Sequence, residues 1–264
     1  MVFEYAKEDD RFIYCHCHFH GNDETPSLLI NKVENNGKPK GFYYCFSCGK
    51  SGSIPDKEVD FVARTVGKKK EPVNVDLDGL QNKLVHQITD ELLTSLSTSW
   101  GISNFALEMY RIGYDNWMNY TFPFYDGDEN IIGIQLRSLL GRKMCLEGSR
   151  LGLFLPYGEI GDIVAICEGV SDACVFQFCT GIYTIGRPNA SVGGDMMRQF
   201  LLNRNFKGEI LVISDRDNAG IIGTNKLLDN LSDWNVRVKI PFPYKDLRAK
   251  YSQEGVDGIK DFLR

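Results

Sequence analysis

The chain has 264 residues, 43% of them hydrophobic and 25% charged, with a formal net charge of −5. That is the make-up of an ordinary soluble globular protein, with room for one large domain or two to three small ones. No apolar run approaches the roughly 18 to 20 residues needed to span a bilayer. Acids occupy the N-terminal stretch where a signal peptide would carry its apolar core, so a cytoplasmic protein with no membrane partner is expected. Eight cysteines in such a chain argue against a disulfide framework. Cys145, Cys167, Cys174 and Cys179 sit in apolar sequence and read as small buried hydrophobes.

In chain order, residues 11–50 read as short strands and knuckles. Ser27–Val33 and Gly41–Cys45 suit two strands, with Asn35-Asn36-Gly37-Lys38-Pro39 turning between them. So small a piece needs a metal to hold it together. Residues 57–67 predict a short helix from Val59, Phe61, Val62 and Val66, and 68–76, with Lys68-Lys69-Lys70 and Pro72, predict a linker. Residues 78–112 carry helical spacing. Tyr120–Phe124, Asn130–Arg137 and Lys143–Leu146 read as antiparallel strands. From 161 onward strands and helices alternate. Strands are expected at 163–167, 182–185, 209–214 and 236–240, and helices at 171–180, 193–204 and 219–232. That rhythm predicts a doubly wound, largely parallel sheet. The expected organisation is α+β and multidomain: a ribbon over 1–56, helix and linker over 57–76, a mixed α+β subdomain over 77–160, and an α/β domain over 161–264.

Two clusters carry chemistry. Cys17-His18-Phe19-His20 and Cys45-Phe46-Ser47-Cys48 each place two ligands at i and i+3. Together they supply the four ligands that a structural, tetrahedral Zn²⁺ prefers, namely Cys17, His20, Cys45 and Cys48. Cys15 with His18 offers a second frame of the same spacing. The other cluster is acidic. Glu168 and Asp215 each end a predicted strand, the edge where open α/β sheets bind ligands, and Asp217 follows Asp215 at i+2. Oxygen ligands of this kind suit Mg²⁺ or Mn²⁺ bridging to substrate phosphates. A zinc ribbon followed by such a centre suggests an enzyme that handles nucleic acid. The net charge does not favour phosphate binding, so local basic groups must supply it. Candidates are the lysine run and Arg137, Arg142 and Lys143 around Gly141.

Cys17-His18-Phe19-His20, Thr25-Pro26-Ser27 and Tyr44-Cys45-Phe46-Ser47-Cys48-Gly49 resemble the zinc-binding domain of DnaG-type primases of bacteria and phages. Glu168-Gly169 with Asp172, and Asp215-Arg216-Asp217-Asn218-Ala219-Gly220, resemble the TOPRIM motifs of the same enzymes. Between them, Tyr110–Tyr114, Phe122-Pro123-Phe124 and Gly133–Arg137 are similar to the subdomain that precedes TOPRIM. His18 and Ser47 stand where the family usually has proline and often glycine, departures that leave the family's ligand positions untouched.

The resemblance favours Cys17 and His20 over Cys15 and His18. It implies Glu168, Asp215 and Asp217 as the catalytic acids, with Mg²⁺ or Mn²⁺ held by these and by a further acid, Asp246, with Asp261 as its rival. It implies Arg137 and Lys143 as contacts to nucleotide or template. The activity implied is synthesis of short RNA primers from ribonucleoside triphosphates on single-stranded DNA. No G-x-x-x-x-G-K-[ST] motif occurs, so a replicative helicase is expected as a separate partner.

Overall fold

The computed structural model describes every residue except Met1, 21–25, Asn36, 55–59, 64–75 and Leu140. Two compact units emerge: 1–75 with 142–148, and 76–141 with 149–264.

The first unit is built on a sheet in the order β5-β4-β3-β2-β1-β6. Its strands are β1 (Val2–Glu8), β2 (Phe12–His16), β3 (Leu28–Asn31), β4 (Phe42–Cys45), β5 (Ser51–Ser53) and β6 (Asp60–Ala63). Neighbours run antiparallel from β1 to β5, while β6 lies parallel to β1 with Phe3 opposite Phe61. The turn after β3 is closed by an Asn35–Lys38 bridge, with Gly37 at φ 71°. Side-chain alternation divides the sheet into two faces. Cys15, Leu28, Ile30, Tyr43 and Cys45 point to one side and, with Cys17 and Ile54, make the small core.

Of the helix expected over 57–67, the described residues are not helical. Residues 60–63 are strand β6, because four residues with a ready partner in β1 gain a ladder that a single helical turn cannot match. The lysine run of the expected linker lies outside the described residues.

In the second unit, α1 (Leu77–Gln87), α2 (Asp90–Trp100) and α3 (Asn104–Glu108) start on the side-chain caps Asp76, Thr89 and Ser103. An antiparallel ladder follows, β7 (Gly113–Tyr114), β8 (Asn119–Tyr125) and β9 (Ile131–Ser138). The next strand, β10 (Lys143–Cys145), lies in the segment 142–148 that belongs to the first unit, and Cys145 is exposed rather than buried as expected.

The remainder alternates as predicted: β11 (Ile163–Glu168), α4 (Val170–Thr180), β12 (Tyr183–Arg187), α5 (Gly194–Asn203), β13 (Glu209–Ile213), α6 (Asn218–Asn230), β14 (Asn235–Lys239) and α7 (Leu247–Leu263). The four strands are parallel in the order β12-β11-β13-β14. Both faces of β11 and β13 are covered, so these two read as continuous apolar runs, whereas the edge strand β14 is largely exposed. Ala165, Cys167, Leu211 and Ile213 face one apolar cluster, and Val164, Ile166, Ile210 and Val212 the other.

Residues 77–160 and 161–264 do not close as separate cores. Leu107, Tyr110, Phe122 and Phe154 pack in the same cluster as Val170, Cys174, Phe176 and Leu211. Tyr110, 2% exposed, donates its hydroxyl to the Thr184 carbonyl at 2.7 Å. Tyr110→Phe would leave that carbonyl one partner short in a dry site, at a cost of about 1–2 kcal/mol. Calorimetry should show a Tm lower by roughly 2–4 °C per kcal/mol, with no change in zinc content.

Candidate metal centres

In the first unit, the sulfurs of Cys17, Cys45 and Cys48 and a ring nitrogen of His20 all lie within 4.8 Å of one another. Cys17 Sγ and Cys48 Sγ are 3.8 Å apart, and His20 Nε2 is 3.2 Å from Cys45 Sγ. A tetrahedral zinc with bonds of about 2.3 Å to sulfur separates its sulfurs by about 3.8 Å, so the residues present fit the ion. Three sulfurs and one imidazole are its preferred donors. Position follows from the strands. Cys45 ends β4, and the turn that follows returns Cys48 beside it, with Gly49 N donating to Cys45 O at 2.8 Å. Gly49 has φ +67°, a conformation suited to glycine. The Cys48 amide donates to Cys45 Sγ at 3.5 Å, and Ser27 Oγ lies 3.2 Å from both Cys45 Sγ and His20 Nε2.

The rival frame is eliminated by side-chain direction. Cys15, inside β2 between Tyr5 and Leu28, is fully buried in the apolar core, and burial pushes its thiol up to about 12. His18 is exposed, with its ring against Phe19.

In the second unit the acids gather at the C-terminal edge of the parallel sheet. Glu168 is the last residue of β11, and Asp172 follows in the first turn of α4. Asp215 and Asp217 follow β13, and Asp217 caps α6 by accepting from Gly220 N at 2.9 Å. A Cβ on Gly220 would stand 2.6 Å from the Asp215 carbonyl oxygen, so glycine is required for this turn. Asp246 caps α7, accepting from Ala249 N at 2.7 Å.

Two hydrogen bonds tie these segments together. Asp172 Oδ1 accepts from Arg248 N at 3.0 Å, and Arg216 N donates to Lys245 O at 2.8 Å. The result is felt at Asp215. Burial, then the charges of Asp172, Glu168, Asp246 and Asp217, raise its carboxyl to about 7. Asp246 therefore joins Glu168, Asp215 and Asp217, whereas Asp261 is exposed and pairs with Arg264 at 3.1 Å. The acids are more loosely gathered than the zinc ligands, which form the single tight cluster of metal-ligating atoms among the described residues. Carboxylates gathered closely enough to raise Asp215 in this way fit hard divalent cations.

The basic candidates separate. Arg137, half-buried on β9, stacks on Trp100 at 5.0 Å, and its proton affinity is lowered by burial and then by Arg248. Lys143 is exposed in the segment grouped with the first unit.

Two contributors, Arg187 and Arg248, did not stand out in the sequence, and Asp172 was named there only as part of the Glu168-Gly169 motif. Asp172 is the largest single charge acting on Asp215. Arg248 lies over the same indole as Arg137, at 5.4 Å. Arg187, 6% exposed, shares a cavity of about 10 Å³ with Glu168, Ser214, Asp215 and Thr224. It donates to the carbonyls of Ala190 and Val192, the latter at 3.1 Å. The only available signal was its place at a strand end beside the turn Pro188-Asn189.

No family model matches the chain. A DNA primase of Thermotoga maritima is 34% identical over 109 residues, which are 40% of this chain and 18% of that protein. The match thus spans less than a fifth of that relative's length. The zinc-binding and RNA polymerase domains of the Aquifex aeolicus primase superpose with a TM-score of 0.56 at 15% identity, covering 97% of this chain and 79% of that one. A DnaG primase catalytic domain solved bound to single-stranded DNA gives a TM-score of 0.55 at 15% identity, over 71% of this chain and 78% of that one. By fold over nearly its whole length, and by sequence over the matched part, the chain resembles the DnaG-type primases: a zinc-binding module followed by a primase catalytic core.

Proposed function

We propose that this chain synthesises short RNA primers on single-stranded DNA during replication, by metal-dependent nucleotidyl transfer. The observation that carries the reading is the convergence of Glu168, Asp172, Asp217 and Asp246 on Asp215, from the loops after three neighbouring strands and the first turn of α4. Glu168, Asp215, Asp217 and Asp246 would hold Mg²⁺ or Mn²⁺, which when bound stabilises charge on the attacking and leaving oxygens of an in-line displacement. In the reaction the 3′-hydroxyl oxygen bonds to the α-phosphorus of the incoming ribonucleoside triphosphate, and pyrophosphate leaves.

The protein groups divide this work. Glu168 stands beside Asp215 and would accept the hydroxyl proton. Asp217 and Asp246 are fixed by capping their helices, so their backbones are set before substrate arrives. Arg137 and Lys143 would contact nucleotide or template, and the zinc ribbon would engage the template. A separate replicative helicase in the cytoplasm would be the partner. Among the described residues, no helix is long and apolar enough to cross a membrane.

The test is incorporation of labelled ribonucleotides on a pool of short single-stranded DNA templates with Mg²⁺ or Mn²⁺. Wild type should yield short RNA, and Asp215→Ala should lose roughly 10²–10³-fold or more of that rate. Template binding without product, in a zinc-loaded wild type, would instead make the chain a binding module. Metal-dependent loss of DNA without incorporation would make it a nuclease.

A further inference from the structure

One buried cation stands beside the acidic centre and has no part in the division of work above. Arg187 ends β12 in register with Glu168 at the end of β11, and its carbonyl accepts from Gly169 N at 2.7 Å. Paired positions on neighbouring strands send their side chains to one face of a sheet. Both residues line the small cavity that also borders Asp215. A buried arginine ordinarily lies in a direct ion pair. Among the described residues Arg187 instead donates to two carbonyl oxygens, Nε to Val192 at 3.1 Å and Nη2 to Ala190. At 6% exposed, it offers almost nothing for a substrate to touch.

Held by neutral carbonyls, the guanidinium keeps a full charge that no single carboxylate cancels. The cavity, about 10 Å³, has room for about one water, so that charge reaches Glu168 and Asp215 with little screening. Burial lowers the proton affinity of Arg187, and the charge of Glu168 works against that, the same interaction felt from the other end.

We infer that Arg187 is a resident counter-charge of the acidic centre: it steadies the carboxylates while no divalent ion is bound, and it opposes that ion when it binds. Its charge offsets part of the repulsion among Glu168, Asp172, Asp215, Asp217 and Asp246. A divalent cation brought to the same carboxylates meets this positive charge nearby. The bare centre therefore binds its ion less tightly than the acids alone would. Arg187 is thus a positioning residue that sets metal affinity without being a ligand. The inference rests on the reading that these acids hold Mg²⁺ or Mn²⁺, and not on which reaction follows.

The experiment titrates Mn²⁺ into the zinc-loaded full chain, without nucleotide or DNA, and follows loss of the free ion's electron paramagnetic resonance signal. Asp215→Ala, measured alongside, reports binding elsewhere on the protein. Arg187→Gln and Arg187→Met, both neutral, should bind Mn²⁺ at the acidic centre roughly 3- to 10-fold more tightly than wild type, the scale of one unit charge across a partly hydrated site. Arg187→Lys, which keeps the charge and loses the fork, should stay within about 2-fold of wild type. Thermal melts supply a second readout. The neutral variants should melt below wild type without metal, and saturating Mn²⁺ should narrow the gap, because tighter binding stabilises them more. A fall in Tm that metal leaves unchanged, with wild-type Mn²⁺ affinity, would make Arg187 a clasp for residues 188–192 and overturn its role as counter-charge. Equal tightening in Arg187→Lys would overturn charge as the cause. Binding at the centre in neither wild type nor the neutral variants would overturn the metal reading itself, and the role of Arg187 with it.

Discussion

Cys45→Ser is expected to release the zinc and unfold the ribbon, while the second unit keeps its structure. Cys45 sits among several partners. Its sulfur lies 3.2 Å from His20 Nε2 and from Ser27 Oγ, and accepts the Cys48 amide. Among the described residues the buried core behind it is Cys15, Cys17, Leu28, Ile30, Tyr43, Cys45 and Ile54, with Ile13 and Cys48 packed against it, a small apolar surface for a sheet to rest on. Zinc binding in such modules amounts to about 10–16 kcal/mol and is inseparable from folding. Metal analysis should find zinc in wild type and none in the variant. An amide NMR spectrum should lose the dispersed signals of β2 to β4 and keep those of β11 to β14. Cys15→Ser is the matched control: it should retain zinc and lose only about 1–3 kcal/mol, the cost of a hydroxyl in an apolar site. A Cys45→Ser protein with its zinc in place would mean that Cys45 is not a ligand.

Asp215→Asn is expected to abolish synthesis and yet stabilise the protein at pH 8 in magnesium-free buffer. Burial, then the surrounding carboxylates, raise Asp215 from its ordinary 3.8 to about 7. Between those values the folded chain binds a proton that the unfolded chain has lost. Stability from this group is therefore complete below about pH 4 and falls away as pH rises through about 7. Each unit of pKa is worth about 1.4 kcal/mol, and solvent screening of a half-buried site leaves about 2 kcal/mol in all. Asparagine removes the charge and so the penalty. Thermal melts should show the variant several degrees above wild type at pH 8, with the gap closing toward pH 4. Adding Mg²⁺ should raise the wild-type Tm and leave the variant nearly unmoved. A variant less stable than wild type at pH 8 would contradict the crowding of charge at this centre.

What the sequence made legible followed from local signals. The strands β3, β4, β8, β9, β11, β12, β13 and β14 form within a residue or two of their apolar runs, and the helices α4, α5 and α6 fall where turn residues and spacing put them. Ligand spacing, being local, marked the candidate zinc cluster but left two frames for its first pair, and the fold brings Cys17 and His20 to Cys45 and Cys48. What escaped depended on distant partners. Val2–Glu8 and Asp60–Ala63 are strands because they find each other, and neither advertises that alone. The helix α7 is interrupted by Gly255, at φ 66°, and rich in charge, which hides the seams of Leu247 and Ile259 that reach the core. Arg187 and Arg248 act through neighbours brought by the fold, so residue type and spacing could not single them out.

Because β6 lies beside β1 at one edge of the ribbon's sheet, the stretch from Cys17 to Cys48 that holds the ligands is not the piece that can be excised. A fragment begun at Phe12 would discard β1, leave β6 without its neighbour, and turn β2 from an inner strand into an outer one. Its newly bare backbone amides and carbonyls would invite pairing with another copy. Boundaries drawn from the ligand motif alone would thus yield a protein prone to self-association, however well it bound zinc. The stretch from Val2 through Ala63 is the smallest cut that keeps every strand of the sheet.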